Sequence, residues 1–295
     1  QSTHNRLVVG SSPTGPTIFT CGSTLNHAAK TNTMKSLFKL LLLSALTTSI
    51  TTGCVDSESS QRRQKHQSQT YVLVHGASGG AWDWTSMDVI LTNRGHKVYR
   101  TTLSGLGDRV HLASKEINLT THITDVVNTI LFEQLDEVIL VGHSYGGMVI
   151  TGVMNQIPER IKQAIFLDAA VPNHGMSALD LWPSMAKHPV IDGQVYFSWL
   201  QQDSLPPHDV PQSLATFTES VSFANPKAQA LAATYIPFID NETAARLQST
   251  IEPSWKNALS RNWPVHPLIS DHNAQRSHQK ELADLLELVT RTASK

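Results

Sequence analysis

From Thr70 onward the apolar residues fall into two alternating rhythms. Short β-rich apolar runs occupy residues 70–74 and 137–141, and residues 96–103 and 161–169 read as further strands, with 137–141 apolar enough to be buried on both faces. Between them, Met87, Ile90 and Leu91 keep a helical spacing that stops near Gly95. Residues 123–135 are helical by period, and residues 148–154 start a third helix. Strands alternating with helices over short connections predict an α/β class chain with a mostly parallel sheet covered on both faces. After a long interruption the sheet resumes at residues 233–240 and 265–270, and an amphipathic helix over 279–290 follows.

The interruption runs from Pro172 to about Ala230. Prolines at 183, 189, 206, 207, 211 and 226 break it, and Trp182, Tyr196, Phe197, Trp199, Phe217 and Phe223 are scattered through it. An irregular stretch this long is expected to be functional. Residues 173–230 are therefore read as a cap, with the aromatics divided between its own core and the lining of a pocket.

The chain before residue 70 follows different rules. Residues 1–33 are rich in Thr, Ser, Asn and Gly, show no apolar period, and are read as upstream or disordered sequence. Residues 34–54 resemble a bacterial lipoprotein export signal: Met34-Lys35-Ser36-Leu37-Phe38-Lys39 is positive, Leu40–Leu46 is apolar, and Gly53-Cys54 follows small residues. The apolar run is too short to span a bilayer. That likeness implies an exported protein, a cell-envelope lipoprotein lipidated on Cys54 or a periplasmic or secreted one. The lipid would be its sole membrane attachment. Residues 55–69 are polar and read as a tether to the domain over 70–295.

Composition narrows the chemistry. With 40% hydrophobic residues, 16% charged and a formal net charge of -1, the chain has no global electrostatic case for a nucleic-acid partner. Cys21 and Cys54 are the two cysteines of the sequence, so the domain has neither a disulfide framework nor a cysteine nucleophile.

Serine takes that place. Gly142-His143-Ser144-Tyr145-Gly146 follows a predicted strand and precedes a predicted helix, the setting in which G-x-S-x-G holds a nucleophile on a sharp turn. A serine hydroxyl needs a neighbouring base, nearly always histidine. His272 follows the last predicted strand, whereas His75 and His143 come too early and are read as structural. Asp240, at the end of the preceding strand, is favoured as the orienting acid. Asp168, after the strand that follows Ser144, is the alternative, and Glu242 is a third candidate. The backbone N–H groups of Tyr145 and of Ala77, in the loop after the first strand, are the expected oxyanion donors.

Tyr71-Val-Leu-Val-His-Gly-Ala-Ser-Gly-Gly-Ala-Trp, Leu103-Ser-Gly-Leu-Gly-Asp-Arg, Val141-Gly-His-Ser-Tyr-Gly-Gly-Met and Leu167-Asp-Ala-Ala-Val-Pro together resemble the α/β-hydrolase superfamily. Within it they are similar to bacterial esterases related to plant methyl-salicylate esterases and hydroxynitrile lyases. The resemblance implies the α/β-hydrolase fold with a cap inserted after the strand following the nucleophile. It also implies ester hydrolysis through an acyl-enzyme on Ser144, with a small-molecule ester as partner and no metal or organic cofactor; the cap aromatics suggest small to medium apolar esters. His272, Ala77 and Tyr145 carry over by position; the acid does not, because Asp168 fits one subgroup and Asp240 another. The rival readings are a hydroxynitrile lyase-like C–C lyase and a non-catalytic small-molecule binder. By resemblance, the lyases hold threonine where this chain has Gly76 and lysine where it has Asn273. The intact Ser144/His272 pair argues against a binder.

Overall fold

The protein is described here by a computed structural model covering residues 67–201 and 204–292. The upstream, export-signal and lipidation expectations lie outside the described residues. So do positions 55–66 of the tether.

The apolar runs become β1 (Thr70–Val74), β2 (Lys97–Thr101), β3 (Val138–His143) and β4 (Ile161–Leu167). Three two-residue strands follow in the cap, β5 (Val190–Ile191), β6 (Gln194–Val195) and β7 (Gln212–Ser213), and then β8 (Ala233–Ile236), β9 (Phe238–Ile239) and β10 (Leu268–Ile269). The main sheet runs β2-β1-β3-β4-β8 with every pairing parallel. β9 and β10 form a second parallel pair.

Alternation along the strands sends side chains to two separate cores. Val72, Val74, Leu140 and Phe166 face α2 (Leu119–Phe132), α3 (Gly146–Gln156) and the cap. Tyr71, Leu73, Val141 and Ile165 face α1 (Thr85–Asn93) and the C-terminal helix (Gln279–Thr292). All of these strand residues are fully buried, so the helix-covered parallel sheet expected from the periodicity is the observed one.

Boundaries moved where local chemistry overrode apolar period. α2 starts at Leu119 because Asn118 and Thr121 cap each other reciprocally, side chain to backbone. The strand expected over 233–240 is split at Pro237, which has no N–H to give to a ladder. Helices at Glu242–Ile251 and Pro253–Ser260 had no counterpart in the reading of the sequence. The first of them buries no residue fully, although Ala244, Leu247 and Ile251 keep a helical spacing along it. It is started by the Asn241 side chain, which accepts from the Ala244 N–H at 3.0 Å.

Candidate active site

Ser144 follows β3 directly and has φ of +52°, a left-handed backbone that costs a non-glycine residue about 1–3 kcal/mol. Surrounding bonds hold it there: its N–H donates to the Leu167 carbonyl (3.2 Å), and its own carbonyl accepts from Ala170 (3.0 Å) and Gly147 (3.1 Å). A Cβ at Gly146 would stand 2.8 Å from the carbonyl oxygens of Val74 and His75. Glycine at that position is what lets the turn sit against β1. α3 begins at Gly146, so the positive end of its dipole faces the serine.

The β3/β4 register pairs His143 with Leu167. The next residues, Ser144 and Asp168, therefore emerge side by side at the carboxyl edge of the sheet. His272 reaches them from the loop after β10. Its Nε2 lies 3.0 Å from Ser144 Oγ, and its Nδ1 lies 2.6 Å from Asp168 Oδ2. Asp168 Oδ1 in turn accepts from the Phe238 N–H at 3.3 Å, which fixes the carboxylate. With Nδ1–H donating to Asp168, Nε2 is free to accept the serine proton. The imidazole is half exposed, its side chain at 53%, and so is open to the pocket.

Asp240, favoured from the sequence as the acid, is not the carboxylate on His272. The Asp168 N–H donates to the Ile236 carbonyl at 2.8 Å, level with the end of β8. Asp240 lies beyond Pro237 and β9, roughly 13 Å further on at extended spacing, and is exposed. Glu242 is exposed in the first turn of the helix that follows.

Three buried histidines brace this arrangement. His75 Nε2 accepts from the Leu103 N–H (3.1 Å), so its Nδ1–H donates to the Gly76 carbonyl (2.8 Å). His143 sits in the elbow itself and bonds the His272 carbonyl through Nε2 at 2.6 Å. His122 joins the Ser104 carbonyl and the Tyr145 hydroxyl, each at 3.0 Å. Burial lowers His75 and His122 to about 4 and His143 well below the usual imidazole range.

These shifts set an acid limit on the fold. Unfolded, the imidazoles take protons near pH 6.5. Folded, they resist until about pH 4. Their contribution is therefore complete above about pH 6.5 and lost as pH falls through about 4, on the order of 3 kcal/mol for each of His75 and His122. The urea midpoint is expected to fall steadily across that window, and less steeply in His122→Asn; a midpoint flat from pH 7 to 4.5 would contradict the assignment.

A cavity of about 710 Å³ opens onto Ser144. Ala77 and Tyr145 line it beside the serine, and Trp182, Met185, Trp199 and Gln201 reach it from the segment between residues 172 and 230. Phe197, Phe217 and Phe223 are instead buried among cap and core residues. One wall was not anticipated: Asp83, Asp209 and Arg276 line the cavity together. Arg276 is paired with Asp83, lies 3.7 Å from Asp209, and stacks over the Trp82 ring at 4.3 Å. Burial pushes Asp83 up to about 6 against the pull of that guanidinium. Glu252 is a further carboxylate in the lining. Nothing local in the sequence marks these groups, because they come from distant segments.

Residues 71–288 match the family described as the Alpha/beta hydrolase family. The carbendazim hydrolyzing esterase of Nocardioides sp. (strain SG-4G) is 50% identical over 113 residues, 38% of this chain and 47% of that protein. Methylesterase 1 of Arabidopsis thaliana is 35% identical over 126 residues, 39% of this chain and 43% of its own length. The chain thus spans less than half of either curated relative. Two solved structures share the fold. An extracellular alpha/beta-hydrolase from a Paenibacillus species, described as homologous to tobacco salicylic acid binding protein 2, superposes with TM-score 0.60 at 21% identity, over 74% of this chain and 97% of that one. A pyrethroid hydrolase from Sphingobium faniae JZ-2 gives 0.59 at 22%, over 77% and 98%.

Proposed function

The chain belongs to the Alpha/beta hydrolase family, and we propose that it is a serine-dependent carboxylic-ester hydrolase working through an acyl-enzyme on Ser144. The observation that carries this reading is the unbroken hydrogen-bond line from Asp168 through His272 to Ser144. The esterase and methylesterase names of the partial relatives agree with it.

In the proposed reaction His272 Nε2 takes the Ser144 proton as Oγ attacks the ester carbonyl carbon. Asp168 stabilises the imidazolium that forms and keeps the ring in the right tautomer. Negative charge grows on the carbonyl oxygen, where the N–H groups of Ala77 and Tyr145 and the start of α3 favour it. Collapse expels the alcohol, protonated by His272, and leaves the acyl group on Ser144. Water activated by the same histidine then releases the acid and regenerates the serine.

Room beside the nucleophile favours hydrolysis over the lyase alternative. A Cβ at Gly76 would stand 3.0 Å from Ser144 Cβ, so a threonine there would crowd the serine. Asn273, at the place where the resemblance gives lyases a lysine, lines the pocket as a neutral group.

Trp182, Met185 and Trp199 offer apolar surface to one half of a substrate, which supports small to medium apolar esters as the class. The export-like segment at residues 34–54 leads us to propose that the ester is met outside the cytoplasm. A chain-length series of p-nitrophenyl esters tests the class. Turnover is expected to peak at short to medium acyl chains, and a rate still climbing at the longest chains, or no turnover at any length, would contradict it.

A further inference from the structure

Ser78 is the point at which the cap grips the loop after β1. It is fully buried, with φ of +61°, and all three of its polar groups bond residues from beyond Pro172. Its N–H donates to Gln212 Oε1 (2.9 Å), its carbonyl accepts from the Val210 N–H (2.9 Å), and its hydroxyl accepts from Trp199 Nε1 (3.0 Å). The same hydroxyl donates back to the Ala77 carbonyl at 2.7 Å. The preceding peptide is held as well, since His75 bonds the Gly76 carbonyl. A peptide is planar, so fixing the Gly76 carbonyl fixes the direction of the Ala77 N–H.

Gln212 is itself held from the other side. Its Nε2 donates to Thr216 Oγ1 at 2.8 Å, and Thr216 donates to the Ser213 carbonyl at 2.7 Å. Gln212 is 1% exposed and Thr216 fully buried, so these bonds do not compete with bulk water. A buried polar chain therefore runs from Ser78, next to Ala77, through Gln212 and Thr216 to the Ser213 carbonyl. Its Ser78 end adjoins Ala77, one of the two backbone donors assigned to the oxyanion.

We propose that Gln212 is a positioning residue that, through Ser78, sets the orientation of the Ala77 N–H, so that the cap tunes the oxyanion hole as well as enclosing the substrate. The inference rests on the ester-hydrolase reading for its catalytic consequence. Gln212 and Thr216 are absent from the residues lining the cavity, so they act through their neighbours. An oxyanion donor works chiefly in the transition state. Misplacing one lowers kcat while leaving KM nearly unchanged, whereas a cap residue that merely shaped the binding space would raise KM.

The test uses the full chain with three substitutions. Gln212→Met keeps length but neither accepts nor donates as the amide does, Thr216→Val keeps shape without the hydroxyl, and Thr216→Ser keeps the hydroxyl. The first two are expected to lose about 10- to 100-fold in kcat on a p-nitrophenyl ester at constant KM, less than the roughly 10²–10³-fold for outright loss of a donor. Thr216→Ser is expected to stay within about threefold of the parent. Amide exchange at Ser78 is expected to rise about tenfold or more in Gln212→Met. Should Gln212→Met fail to fold, the Thr216 pair decides. A folded Gln212→Met with parental kcat, a loss expressed in KM, a Thr216→Ser as impaired as Thr216→Val, or unchanged exchange at Ser78 would each overturn the proposal. Faster exchange in a chain whose parent turns over no ester would support the coupling and count against the ester reading instead.

Discussion

Ser144→Ala is expected to lower ester turnover by about 10⁴–10⁶-fold while leaving the fold in place. The magnitude follows from what one oxygen does. Oγ is the nucleophile and the atom that carries the acyl group, and it gives the proton for which His272 Nε2 waits at 3.0 Å. Removing any member of such a unit forfeits nearly all of the covalent route, and the residual rate comes from binding and the oxyanion donors. The loss corresponds to about 5–8 kcal/mol of transition-state stabilisation. Stability is expected to change by less than about 1 kcal/mol. The elbow is held by backbone bonds to Leu167, Gly147 and Ala170 that alanine keeps, and alanine meets the same positive-φ cost. Turnover within tenfold of the parent, measured against a catalyst-free blank, would show that the nucleophile is elsewhere.

The second large effect separates two aspartates. Asp168→Asn is expected to reduce kcat by about 10³–10⁴-fold, because an amide on His272 Nδ1 favours the wrong tautomer and cannot balance the imidazolium. Asp240→Asn is expected to stay within about twofold, since an exposed carboxylate away from the histidine alters little beyond surface charge. Parallel steady-state kinetics on the two variants is the check. A large loss in Asp240→Asn with a mild one in Asp168→Asn would reverse the assignment of the acid.

That choice shows where the sequence was legible and where it was not. The strand, the glycine-flanked serine and the helix behind it are contiguous, so residues 137–154 carried their own context. The core followed from alternation, because Val72 and Val74 face one side of β1 while Tyr71 and Leu73 face the other. His272 was reachable as the histidine just past the last strand. The acid depended on register: which of two strand ends comes level with Ser144 is decided by the pairing of His143 with Leu167 and by the break at Pro237. Neither is visible in a run of apolar letters. The polar wall was out of reach for a related reason, since Asp83 and Arg276 are separated by most of the domain and meet only when the loops after β1 and β10 converge. The helix at Glu242–Ile251 was missed although Ala244, Leu247 and Ile251 keep a helical spacing, because that stripe is short and polar residues surround it.

The central claim is that a covalent acyl group passes through Ser144. Its most direct test is to mix the protein with a p-nitrophenyl ester, quench in acid within the first turnover, and locate any added acyl mass by peptide mass spectrometry. The expected result is one acyl group on the peptide bearing Ser144, formed with a burst of p-nitrophenol and absent from Ser144→Ala. Full turnover with an acyl group on another residue, or with the burst retained in Ser144→Ala, would contradict it.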